Sequence, residues 1–179
     1  MPKVEVAYDR FFPQFTHSLN HGGALLVSLD SEDRPNAMAI GWGMVGIIWG
    51  KPIFAALVRP SRYTYGCIEA TGDFTVCVPY AEMAEEVLFC GTESGRGYDK
   101  FAECKFTALP GVKVKSPGIE QCGLIYECAV AHRNDVLPAE LTDAIVHACY
   151  PAGDFHRVYY GEILRVIADE DFEARQPTV

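Results

Sequence analysis

A chain of 179 residues with 49% hydrophobic side chains has the size and apolar content of one domain with an ample core, and residues 1–179 are read as a single domain. Its formal net charge of −9 argues against nucleic acid and anionic membrane as partners, because both need clustered positive charge to displace counterions. No apolar run approaches the roughly 20 residues needed to cross a bilayer, and Met1 to Arg10 lacks the apolar core of a signal peptide, so a cytoplasmic protein is expected.

Short apolar runs rich in Val and Ile, bounded by turn residues, predict strands over Ala24 to Leu29, Met38 to Ile40, Val45 to Trp49, Ile53 to Val58, Phe74 to Val78, Leu124 to Ala131 and Val158 to Ile167. Between the first two, Asp30-Ser31-Glu32-Asp33-Arg34-Pro35-Asn36 is polar and carries a proline, which suits a hairpin and makes the early strands antiparallel. Helices are predicted from Ser61 to about Ala70, with Gly72 just beyond, and from Ala81 to Phe89, with Gly91 after it. Pro138 to Ala148 is a third candidate helix. Many short strands with few helices describe a mainly β fold, a β-barrel with helical insertions.

The charge is unevenly spread. From Arg34 to Ile68 there is no Asp or Glu, while Arg34, Lys51, Arg59 and Arg62 fall there. A basic island in an acidic protein points to a small anionic ligand, and a phosphate group fits. Seven cysteines, odd in number and widely scattered without a CxxC pair, read as reduced thiols; neither disulfides nor a metal site is expected.

Three stretches carry candidate chemistry. Asn36-Ala37-Met38-Ala39-Ile40-Gly41-Trp42-Gly43 is a strand with small side chains running into two glycines, where a flat ligand can approach the backbone; the alternative is a bulge at a barrel corner. The pattern Gly41-Trp42-Gly43-Met44-Val45-Gly46 also satisfies the dinucleotide-binding GxGxxG, but a β-like run closed by Gly50 and Pro52 follows it, whereas that fingerprint requires a helix. In Arg59-Pro60-Ser61-Arg62-Tyr63-Thr64, Ser61 is placed to cap a helix whose free N–H groups, with two arginines and two hydroxyls, would bind a phosphate monoester; an ordinary capped helix is the alternative. Cys90 to Phe101, with three glycines and two basic residues, is a loop that could fold over a ligand edge, with Cys90 a core thiol rather than a nucleophile. His156, close to Asp154 and just before the last long strand, could act on a substrate or bond a neighbouring carbonyl.

In their order and spacing, Asn36-Ala37-Met38 with Gly41-Trp42-Gly43, Gly46-Ile47-Ile48-Trp49-Gly50-Lys51-Pro52, Arg59-Pro60-Ser61-Arg62-Tyr63-Thr64, Cys90-Gly91-Thr92 with Ser94-Gly95-Arg96 and Asp99-Lys100-Phe101, and His156 with Tyr160-Gly161-Glu162-Ile163 resemble the flavin reductase-like, FMN-binding split-barrel family, especially its flavoredoxin branch. The resemblance spans most of the chain. It implies a homodimer with FMN near the interface, held by Asn36, Met38, Ala39, Ile40, Gly41, Trp42, Arg59, Ser61, Arg62, Tyr63, Thr64 and Lys100, with the phosphate toward Arg59, Ser61, Arg62 and Thr64 and the ring along Met38 to Trp42. It further implies His156 on the catalytic side and NADH or NADPH as electron donor, or alternatively an electron carrier that meets a redox protein, or a split-barrel module without turnover. Two positions depart from the family pattern: Ala39, where a hydroxyl, usually Thr, is expected, and Cys77, where Asn is common.

Overall fold

A computed structural model describes residues 2–176. Ten strands and six α-helices follow in the order β1 (Lys3–Glu5), α1 (Phe12–Asn20), β2 (Ala24–Leu29), β3 (Pro35–Ile40), β4 (Gly43–Ile48), β5 (Lys51–Val58), α2 (Tyr63–Thr71), β6 (Asp73–Val78), α3 (Ala84–Thr92), α4 (Lys100–Glu103), β7 (Ala108–Leu109), β8 (Gly118–Ile119), β9 (Leu124–Asp135), α5 (Asp143–Cys149), β10 (Arg157–Asp169) and α6 (Phe172–Arg175). All seven predicted strands are present. The GxGxxG pattern lies in β4 and its approach, not at a helix start, so its rejection stands.

The main sheet runs β3-β2-β6-β9-β10-β5-β4, antiparallel throughout, with β1 added against β10. Its two edge strands are β3 and β4, which only Gly41 and Trp42 separate in the chain. Ile40 and Gly43 can be no more than about 11 Å apart across that link, so the sheet must curl until its edges meet at Gly41-Trp42. The result is a half-closed barrel split along β3 and β4.

The curl wraps one apolar cluster, in which Phe15 from α1 meets Phe54 and Tyr126 edge-on at centroid distances of 5.1 and 5.8 Å. A second cluster, with Leu25, Val27, Ala37, Cys77, Val87, Cys90 and Phe101, joins α3 and α4 to the opposite face of β2 and β3. Gly161 in β10 is required by packing: a Cβ there would come within 2.6 Å of the Phe74 ring and 2.8 Å of Cys128, beside a register shift in the β9–β10 ladder.

Several expectations need correction. The helix predicted to stop at Phe89 continues through Gly91 to Thr92, because the chain holds helical hydrogen bonds past the glycine. The Pro138 to Ala148 helix is a short turn over Pro138–Glu140 followed by α5. Helix α1 was not anticipated: Pro13 presets its first turn, but Phe12 faces solvent and blurs the apolar period. By contrast Gly72 ends α2 in the left-handed conformation, φ 70°, donating its N–H to the Ile68 carbonyl, as its place after the helix predicts.

The expectation of no metal took the histidines as never at the i, i+4 spacing of a helical metal pair; His17 and His21 stand at that spacing, with rings stacked at 4.1 Å. Among the described residues no group of three or more His, Cys, Asp or Glu side chains gathers to hold an ion. No helix there is long and apolar enough to cross a membrane.

Candidate functional site

The split in the barrel opens onto two adjoining cavities that share Met38, Ala39 and Arg62. One, of about 210 Å³, is walled by Met38 to Trp42, Leu57, Arg59, Arg62 and His156. The other, of about 190 Å³, lies between the start of α2, Ser61 to Thr64, and the segment from Cys90 to Arg96, with Lys100 behind it. Strand β3 is the common floor, and the small side chain of Ala39 keeps that floor low. A Cβ on Gly91 would sit 3.3 Å from that of Ala39, so α3 also packs close to the strand.

The second cavity is a cradle of donors. Lys100 is buried, and its ammonium donates to the carbonyl oxygens of Ala37 and Cys90, both at 2.9 Å. No carboxylate pairs with it among the described residues, nor with Arg62 or Arg96, which also line the cavity. Burial pushes the Lys100 pKa down, and neighbouring Arg62 adds to the fall. A buried ammonium with one donor to spare and a second cation beside it is stabilised by an incoming anion. The hydroxyl of Thr64 accepts from the Asn36 amide at 2.8 Å, both residues being buried, which leaves its own proton free to donate. Gly95 lets its loop close down here, since a Cβ would collide with the Asn36 side chain and the Tyr63 ring.

Three predicted roles change. Ser61 does not cap α2; Arg62 holds the N-cap position, and Ser61 gives its N–H and hydroxyl to the Asp154 carboxylate at 3.3 and 2.5 Å. Arg59 is anchored within the protein: its guanidinium donates to the carbonyls of Cys149, Asp154 and Gly153 at 2.8, 3.2 and 3.4 Å and lies 5.1 Å over the Tyr150 ring, which leaves two of its five N–H donors for the cavity it lines. Asn36 lines neither of the two cavities; it acts through Thr64. Tyr63 lines the donor cavity, with its hydroxyl bound to Asp30 at 3.1 Å. Asp30 is buried in the β2–β3 turn; burial works to raise its pKa, but the N–H groups of Arg34 and Glu32, with the side chains of Arg34 and Tyr63, hold it down at about 2.

Met38, Ala39, Ile40, Gly41 and Trp42 line the first cavity, and His156 closes it. The His156 ring is 5.0 Å from that of Trp42, and its Nδ1 is 2.8 Å from the Tyr150 hydroxyl. Burial, then the positive charge of Arg59, takes its pKa down to about 4. Cys90 is buried and pushed up to about 12, which suits the core thiol expected and not a nucleophile. Tyr150, Leu57 and Arg96 were not singled out in the sequence. Arg96 falls in a loop that was, but nothing local marks Tyr150 or Leu57.

A family model described as flavin reductase like domain matches residues 16–179. An uncharacterized protein of Archaeoglobus fulgidus is 29% identical over 147 residues, 82% of this chain and 73% of its own. Among solved structures, a flavoredoxin of Desulfovibrio vulgaris superposes with TM-score 0.67 at 26% identity, over 83% of this chain and 69% of its own. A flavoredoxin from Methanosarcina acetivorans gives TM-score 0.68 at 25% identity, over 86% and 73%. The curled antiparallel sheet is the split barrel of these proteins, and the chain belongs to the flavin reductase-like domain family.

Proposed function

We propose that this chain is an FMN-binding oxidoreductase of the NAD(P)H-dependent flavin reductase type. The observation that carries the reading is Lys100: a buried ammonium beside Arg62, without a carboxylate ion pair among the described residues, at one end of a cleft whose other end is walled by Trp42 and His156. The terminal phosphate of FMN suits the Arg62, Thr64, Arg96 and Lys100 end, and a planar ring suits the floor from Met38 to Trp42. Bound FMN would supply two-electron chemistry, accepting hydride from NADH or NADPH. The protein's own part is to bind the anion, orient the ring and present His156 beside it.

A homodimer belongs to this reading. Edge strand β4 offers exposed Met44 and Ile47, and Trp49 follows it at 60% exposure, an apolar margin suited to a second copy. The seven thiols, none in a disulfide, suit a reducing cytoplasm. A second reading is an electron carrier that holds FMN for a redox protein, favoured by the two flavoredoxins among the structural neighbours.

The test is an absorbance spectrum of purified protein after addition of FMN and removal of excess, followed by NADH and then NADPH without oxygen. Retained flavin bands that bleach with either nucleotide support the reductase. Bands that persist favour the carrier, and a protein that retains no flavin overturns both.

A further inference from the structure

Tyr150 and His156 share the excursion between β9 and β10, and contacts within the protein fix both. The Tyr150 ring stacks on Phe155 at 4.6 Å, meets Trp42 edge-on at 6.2 Å and carries the Arg59 guanidinium on its face. Arg59 is itself held by three carbonyls, so Tyr150 is clamped from both sides. In that position its hydroxyl has one side-chain hydrogen-bond partner among the described residues, Nδ1 of His156 at 2.8 Å. An imidazole that accepts at Nδ1 carries its proton at Nε2. Nε2 makes no hydrogen bond within the described protein, and His156 lines the cavity together with Met38, Gly41 and Trp42.

The surroundings keep the ring uncharged. The charged groups facing it are Arg59 from the end of β5, Arg62 from the start of α2 and Asp154 from its own loop. Burial and the two arginines outweigh Asp154, whose carboxylate is already engaged by Ser61. A ring in this state can donate a hydrogen bond near neutral pH but offers no positive charge and no acidic proton to a substrate.

We infer that Tyr150 is a positioning residue that sets His156 as an Nε2–H donor facing the cavity, and that the site recognises a neutral carbonyl or carboxamide oxygen of its substrate there. The substrate half rests on the oxidoreductase reading above, with the nicotinamide carboxamide as the group recognised. The Tyr150 half does not.

The first experiment is nitrogen NMR on FMN-loaded protein labelled at its five histidines, with a His156→Gln variant to assign the signal. Between about pH 6 and pH 8 His156 is expected as the neutral ring protonated at Nε2, and Tyr150→Phe should shift it toward a mixture of tautomers. A ring protonated at Nδ1, or charged near pH 6, or unmoved by Tyr150→Phe, overturns the assignment. Kinetics address the substrate half: Tyr150→Phe should raise KM for the active nucleotide about tenfold with a smaller change in kcat. His156→Gln, which keeps an N–H donor, should retain more activity than His156→Leu, and equal losses would overturn the donor role. Protein that holds FMN yet oxidises neither nucleotide overturns the substrate half and the reductase reading together, while the nitrogen spectrum still decides the role of Tyr150.

Discussion

At the α2 end of the cleft, Arg62, Arg96 and buried Lys100 gather around a cavity that Glu93 also lines, none of the three in an ion pair among the described residues, whereas at the β10 end Arg59 is bound to three carbonyl oxygens and His156 is held neutral. Both ends draw on the same acid-free stretch of sequence and the same floor, strand β3. They differ in where the donors are spent. Arg59 stitches the excursion between β9 and β10 to the end of β5, so three of its donors go into structure. Lys100 contributes two donors to carbonyls and keeps one for the cavity. A basic residue near a site is therefore a ligand only if its hydrogen bonds are not already taken.

The sharpest way to break this contrast is Lys100→Met, which keeps the side-chain volume and removes the charge. FMN affinity should fall roughly 30- to 100-fold, the equivalent of about 2 to 3 kcal/mol for a charge-assisted contact, as read by flavin fluorescence titration. An affinity within a factor of about two would remove the anion role from Lys100.

The paired substitutions Arg62→Ala and Arg59→Ala come next. Arg62→Ala should weaken FMN binding by about 1.5 to 3 kcal/mol at little cost to thermal stability. Arg59→Ala should do the reverse, lowering stability by about 1 to 3 kcal/mol through three orphaned carbonyls and a loosened Tyr150, with a smaller effect on affinity. Matching profiles for the two variants would erase the distinction between the ends. In Arg59→Ala, His156 should also regain charge more readily, since one of the cations that depress it is gone.

The pH dependence tests the β10 end alone. With His156 down at about 4 in the fold and near 6.5 in the unfolded chain, the unfolded state binds more protons between those values. Its contribution to stability is therefore complete above about pH 6.5 and is lost as pH falls through about 4. Turnover should show no step attributable to this histidine between about pH 5 and pH 8, and a step near pH 6.5 that vanishes in His156→Gln would contradict the assigned charge state.

The smallest effect is expected at the shared floor. Ala39→Thr places a hydroxyl between the two cavities, against Gly91, and should tighten flavin binding by no more than about 1 kcal/mol. A large loss instead would mean that the close packing of α3 on β3 has been forced apart.

Much of the frame was legible because it rests on local pattern. The β2–β3 hairpin follows from a polar turn whose Asp30 satisfies the N–H groups of Glu32 and Arg34 within four residues. The end of α2 follows from Gly72, and the floor from Met38 to Trp42 follows from a strand running into glycine. Helix α1 was not legible, since its buried Phe15 answers to Phe54 and Tyr126, far along the chain. Nor was Tyr150, which matters only because the excursion after β9 returns it to His156 and Trp42.

By itself, then, the sequence determined the antiparallel strands and the basic island, because strand period, turn chemistry and charge are properties of neighbouring residues. Only the tertiary structure decided which cations remain available, that Ser61 serves Asp154 and not the helix, and which nitrogen of His156 faces the cavity. The first two outcomes depend on hydrogen-bond partners about 30 to 95 positions away in the chain, and the third on Tyr150, six positions away but turned back onto His156 by the excursion between β9 and β10.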